Sequence, residues 1–120
     1  TVISPCALGG TINRNSLKNI NCNIIAGAAN NQLENDTDVP EELLKKNILY
    51  IPDFLINAGG IISVYHEQIN DIDSKKVMDM TGLIYDKVSS VIKYSEENSI
   101  STNSSAIQLA KDRIKENSKK

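Results

Sequence analysis

The sequence predicts an α/β domain, a small parallel sheet followed by a helical tail. Three observations carry this. Three short apolar runs, at residues 1–4, 23–26 and 48–51, each end in small, Pro or side-chain-amide residues. Helix-like stretches separate them, and strands that alternate with helices form parallel sheets. From Lys75 onward, apolar residues recur at three- and four-residue steps, the period of an amphipathic helix.

The first run, Thr1-Val2-Ile3-Ser4, is stopped by Pro5 and followed by Cys6-Ala7-Leu8-Gly9-Gly10. Small residues after a strand let a ligand approach the backbone, or simply form a turn. Residues 13–20 are predicted to hold a short helix capped by Asn13 or Asn15. The second run, Asn23-Ile24-Ile25-Ala26, leads into Gly27-Ala28-Ala29-Asn30-Asn31-Gln32. Side-chain amides suit neutral ligands that both donate and accept, although Asn also binds its own backbone in loops. Asp38 and Glu41 have capping-box spacing, Pro40 suits a first turn, and Leu43 and Leu44 are expected to face inward. Asn47 is expected to end this helix.

The third run, 48–51, is short and apolar, as in a strand buried on both faces. Pro52 stops it, and Asp53 stands where an N-cap belongs, before a helix expected over 54–68. Gly59 and Gly60 each cost about 1 kcal/mol relative to Ala inside a helix. The pair therefore suggests close approach to the backbone, by a ligand or by a neighbouring element. Ligands of open α/β sheets bind beyond the carboxyl ends of the strands, where Asn57 stands. His66 beside Glu67 is read as a solvated helix face. Asp73 or Ser74 is predicted to cap a helix over 75–97, with Val77, Met80, Ile84, Val88 and Val91 as its apolar stripe. Residues 98–101 break it. Thr102 is expected to cap a last helix over 103–116, buried through Ala106, Ile107, Leu109, Ala110 and Ile114.

The chain has 120 residues, a net charge of −2 and 40% hydrophobic residues, the make-up of one ordinary soluble domain or part of one. Its lysines are interleaved with Asp and Glu, so no basic patch points to nucleic acid. Lys119 and Lys120 read as a solvated tail. Cys6 and Cys22, without CxxC spacing and with a single His, do not make a metal site. They read as buried or half-buried thiols of a reducing, cytoplasmic setting. No apolar run is long enough to span a membrane, and no secretory signal is visible. The chain opens without Met inside an expected strand, which suggests that something precedes it.

Ser4-Pro5-Cys6-Ala7-Leu8-Gly9, Ala26-Gly27-Ala28-Ala29-Asn30-Asn31-Gln32-Leu33 and Pro52-Asp53-Phe54-Leu55-Ile56-Asn57-Ala58-Gly59-Gly60 closely resemble the carboxyl-terminal part of the leucine, phenylalanine and valine dehydrogenases. These belong to the wider glutamate dehydrogenase superfamily. The resemblance is strong from Val2 to about Glu67 and looser beyond. It implies that residues 1–70 are part of a Rossmann-type NAD-binding domain with about three parallel strands. Residues 71–120 would be helices packing on the sheet or on an absent substrate domain. The implied activity is NAD-dependent oxidative deamination of a branched-chain or aromatic L-amino acid to its 2-oxo acid and ammonia. Asn57 would contact the substrate. Cys6, Ala7, Ala29, Asn30, Asn31 and Asn57 would line the cofactor cleft, with Asn30 or Asn31 by the nicotinamide ribose. Leu55 and Ile56 would help shape the side-chain pocket. The complete enzyme would be a homo-oligomer.

The chain departs from the family in what it lacks. It has no GxGxxG phosphate loop and no acidic residue for the adenosine ribose. The family's glycine-rich substrate segment, its two lysines and its proton-transferring Asp have no counterpart. The sequence therefore reads as the last third of an enzyme, a fragment, a split-gene half or a decayed product, and alone it is expected to be inactive. Two other readings stand beside this one. The first is a non-catalytic module that associates through an exposed sheet edge. The second is an unrelated small α/β nucleotide-binding protein, which the missing phosphate loop disfavours.

Overall fold

A computed structural model describes residues 1–71 and 73–118. The tail expected at Lys119 and Lys120 lies outside the described residues. Three strands, β1 (Val2–Ile3), β2 (Ile24–Ile25) and β3 (Leu49–Tyr50), form one parallel sheet in the order β1-β2-β3. Val2 aligns with Ile24 and Ile24 with Leu49; Ile3 aligns with Ile25 and Ile25 with Tyr50. All three carboxyl ends therefore lie on one side, as the alternation of strands and helices requires. The core is built from Ile12, Leu17, Ile25, Val39, Leu43, Ile48 and Tyr50. Aliphatic residues carry it because the chain has no Trp and one Phe.

Between β1 and β2 the expected helix over 13–20 shrinks to one 3-10 turn, Ser16–Lys18. Asn15 holds the N-cap position without a side-chain bond, while Asn13 Oδ1 accepts from the N–H groups of Asn15 and Ser16. Helix α1 (Asp38–Lys45) follows β2. Asp38 does not cap it. Asn35 does, its Oδ1 accepting from the N–H groups of Thr37, Asp38 and Val39. The Asp38 carboxylate pairs with Arg14 at 2.7 Å instead. Leu43 is buried but Leu44 is exposed, because neighbouring positions on a helix diverge by about 100°. Asn47 leaves the helix at φ 55°, a left-handed conformation that Asn tolerates.

The single helix expected over 54–68 is two helices, α2 (Asp53–Ile56) and α3 (Gly59–Gln68), broken at Asn57 and Ala58. Pro52, not Asp53, is the N-cap of α2. The long α4 (Ser74–Asn98) is capped by Asp73, whose side chain accepts from the N–H groups of Lys75 and Lys76. It ends at Ser99 in the left-handed region, which turns the chain into α5 (Thr102–Asn117). Ser101, not Thr102, caps α5. The Thr102 hydroxyl instead donates to the Tyr50 carbonyl, so the start of α5 covers the free edge of β3.

Helix α4 packs on α2, α3 and α5. Of its expected stripe, Val91 is buried and Val77, Ile84 and Val88 are half-buried, but Met80 is exposed. In α5 only the first turns pack: Asn103, Ser105 and Ala106 are buried, whereas Ala110 and Ile114 are exposed. The period was right, but the helix outruns the sheet it packs on.

Candidate active-site cleft

The three loops that leave the sheet meet at its carboxyl end. Where the β1 loop passes the β2 loop, Ala29 N–H donates to the Pro5 carbonyl at 3.0 Å. Gly27 is required for this approach, since a Cβ there would lie 2.1 Å from the Pro5 carbonyl oxygen. Gly9 crosses the same loop, and its Cβ would stand 2.9 Å from the Asn31 carbonyl oxygen.

The β2 and β3 loops meet through amides. Asn57 Nδ2 donates to Asn30 Oδ1 at 2.6 Å and reaches the Ala28 carbonyl at 3.4 Å. This use of the two side chains leaves Asn57 Oδ1 as an acceptor and Asn30 Nδ2 as a donor without partners among the described residues. Asn30 and Asn31 are exposed and Asn57 is half-buried. Asn31 holds φ 52°, which turns its carbonyl to accept from Gly10 N–H. Ala29 is buried.

Cys6 and Ala7 are exposed beside these amides, so the expectation of buried or half-buried thiols fails at Cys6 and holds at half-buried Cys22. A backbone hydrogen bond from Ala28, then the Ser4 hydroxyl at 3.3 Å, lowers the Cys6 pKa below the ordinary thiol value. None of Cys6, Ala7, Ala29, Asn30, Asn31 or Asn57 brings a fixed charge to the cleft. Leu55 and Ile56 are half-buried.

Two residues escaped the sequence reading. Gln32 is fully buried. Its Nε2 donates to the carbonyls of Gly27 and Ala29, at 2.7 and 2.9 Å, and closes the β2 loop on itself. Tyr50 is buried against Asp53, with its hydroxyl 3.5 Å from Asp53 Oδ1. Burial first, then the Asp53 carboxylate, raises the Tyr50 pKa. The signal for Gln32 was its place directly after two exposed amides in a run of small residues. Gly59 and Gly60 pack on no neighbouring backbone: Gly59 meets only Thr81, and nothing lies near Gly60.

His66 corrects another expectation. It is buried at 6% exposure, not on a solvated face. Its Nε2 lies 3.1 Å from Met80 Sδ, and its Nδ1 lies 3.8 Å from Asp71 Oδ2. It pins α3 to α4, away from the amide cleft.

The chain is an α/β protein whose parallel strand ends converge on neutral amides, the place where open α/β sheets bind ligands. The whole chain, residues 1–120, matches the family model of Glutamate/Leucine/Phenylalanine/Valine dehydrogenase, and the chain belongs to that family. It is 45% identical over 113 residues to an L-tryptophan dehydrogenase of Nostoc punctiforme, covering 94% of this chain and 32% of that protein. It is 37% identical over 115 residues to a leucine dehydrogenase of Bacillus cereus, covering 94% of this chain and 30% of that protein. The crystal structure of L-tryptophan dehydrogenase from Nostoc punctiforme superposes with a TM-score of 0.92 at 44% identity, over 96% of this chain and 34% of that one. The chain thus spans about a third of the length of the relatives it matches. No helix among the described residues is long and apolar enough to cross a membrane.

Proposed function

We propose that this chain is the carboxyl-terminal part of an NAD-dependent L-amino-acid dehydrogenase acting on a branched-chain or aromatic substrate. The observation that carries the reading is the Asn30–Asn57 pair, which joins two strand ends and keeps one acceptor and one donor free. Residues 1–70 form part of a Rossmann-type domain, and 71–120 are helices that pack on the sheet or on a substrate domain. The donor set fits one end of the cofactor. Neutral amides and an exposed backbone suit a carboxamide and ribose hydroxyls. They do not suit a pyrophosphate, which calls for a glycine-rich loop at a helix N-terminus.

NAD, when bound, accepts the hydride removed from the amino-acid α-carbon. Asn57 Oδ1 accepts from the substrate and orients it. Asn30 or Asn31 holds the nicotinamide ribose, with Asn57 behind Asn30. Cys6 and Ala7 line the opposite wall and leave room for the ring, while Leu55 and Ile56 shape the side-chain pocket. No residue of this chain takes the general acid/base role, so the isolated chain is inactive. The complete enzyme is a cytoplasmic homo-oligomer.

The test is turnover by the natural polypeptide that carries this sequence, assayed with leucine, valine, phenylalanine and tryptophan, each with NAD and with NADP. NADH formation with one of these amino acids, reduced but still measurable in Asn57→Ala, is expected. No turnover with any of them would overturn the reading. A second reading, a non-catalytic module, draws on one observation: β3 is covered by α5, but β1 is an open edge with Val2 exposed. Self-association of the isolated chain, abolished by a Lys at Val2, would favour it.

A further inference from the structure

We propose that Asp53 is a positioning residue that sets the distance between Asn30 and Asn57 by clamping the β2 loop onto α2. The inference rests on the reading of Asn57 as a substrate contact. Asp53 is 8% exposed, and no cation pairs with it among the described residues. A carboxylate so placed needs hydrogen-bond donors to offset its desolvation. It has them from two directions. Oδ1 accepts from Phe54 N–H at 2.9 Å, within its own helix, and lies 3.5 Å from the Tyr50 hydroxyl. Oδ2 accepts from Gln32 N–H at 3.2 Å, across 21 residues of chain.

That second bond joins the two segments that carry the amide pair. Gln32 stands two residues after Asn30, and its side chain has already folded the loop onto Gly27 and Ala29. Asp53 begins the four-residue helix that ends just before Asn57. The bond from Gln32 to Asp53 therefore closes a ring: Asp53, α2, Asn57, Asn30, Gln32 and back. A closed ring of short rigid segments fixes its last contact, the 2.6 Å bond between Asn57 and Asn30. It thereby aims the free Asn57 oxygen. Displacement of a contact by about 1 Å is enough to slow an enzyme by up to about a hundredfold.

Asp53→Asn keeps the shape but cannot accept on both oxygens, so one of the two N–H groups loses its partner. The experiment is a double-mutant cycle in the complete polypeptide: Asp53→Asn, Asn57→Ala and both together, with kcat and KM for the amino acid. Asp53→Asn is expected to lower kcat/KM about tenfold or more. On the Asn57→Ala background it is expected to change kcat/KM by less than about twofold, because the residue it acts through is gone. Equal losses on both backgrounds would mean a merely structural Asp53 and would overturn the proposal. No loss from Asn57→Ala alone would overturn the underlying reading, and this proposal with it. If Asp53→Asn does not fold, Asp53→Ser, whose shorter side chain no longer reaches Gln32 N–H, breaks the same bond in the same cycle and is judged by the same two outcomes.

Discussion

Between β1 and Asn57, the buried Asp53 carboxylate and the Gln32 amide nitrogen find partners inside the chain, and Ile25, Ile48 and Tyr50 face a common core. From Gly59 onward the balance reverses. Ile61, Tyr65, Met78, Leu83 and Tyr85 are exposed on α3 and α4, and Ile114 on α5. The first region holds the chain's buried core and the amide cluster, although Val2, Leu8 and Phe54 remain exposed. The second exposes large apolar side chains on three successive helices. Its helices have the pattern of buried elements without enough neighbours to bury them. A long helix keeps its form on local hydrogen bonds, whereas a parallel sheet exists only when its loops and crossovers are in place.

The comparison is broken or sharpened most strongly by core substitution. Leu43→Ala, at a fully buried position, is expected to lose about 2–5 kcal/mol in chemical denaturation. Tyr85→Ala, at 77% exposure, is expected to change stability by less than about 0.5 kcal/mol. If Tyr85→Ala costs as much as Leu43→Ala in the complete polypeptide, its face is covered there by another part of that protein.

A smaller effect falls at the start of α1. Asn35→Ala removes the acceptor of three backbone N–H groups and should cost about 1 kcal/mol. Asp38→Ala leaves that cap intact and loses only an exposed ion pair, worth about 0–1 kcal/mol. A larger loss at Asp38 than at Asn35 in thermal melts would reverse the assignment.

At the boundary of the two regions, Gly60→Ala meets nothing in the fold and should stabilise α3 by up to about 1 kcal/mol. Loss of cofactor affinity together with that gain would assign the glycine to a ligand. Ordinary affinity would leave it without a role.

The smallest effect lies in the tail. The Lys76 ammonium, hydrogen-bonded to Asp71 at 2.8 Å, lowers the Asp71 pKa below the ordinary carboxylate value. The folded pKa lies below the unfolded one, so the contribution is present above the ordinary carboxylate range. It is lost as pH falls through the lowered value. Lys76→Ala should return Asp71 toward ordinary titration, read by NMR, with little change in melting temperature because both groups are exposed.

Sequence by itself determined the three strands, their order and the two long closing helices, but not the 3-10 turn before β2 or the break between α2 and α3. Pro5 and Pro52 stop strands, Asn47 and Asp73 stand at helix ends, and the 3.6-residue period marks α4, because each of these signals acts within a few residues. It also singled out Asn30, Asn31 and Asn57, since amides after strand ends are unusual in a core and natural at a ligand. Tertiary structure decided which local signal won. Asn35, not Asp38, takes the first N–H groups of α1, because the helix already begins at Asp38, whose carboxylate turns outward to Arg14. Asp53 gave up the cap of α2 and received the N–H of Gln32, a partner no local pattern indicates. His66 and Met80 met only when α3 folded onto α4. Caps and periods are short-range energies, legible in order along the chain. Burial and long-range hydrogen bonds depend on which segments the sheet brings side by side, and that is fixed only when the whole core closes.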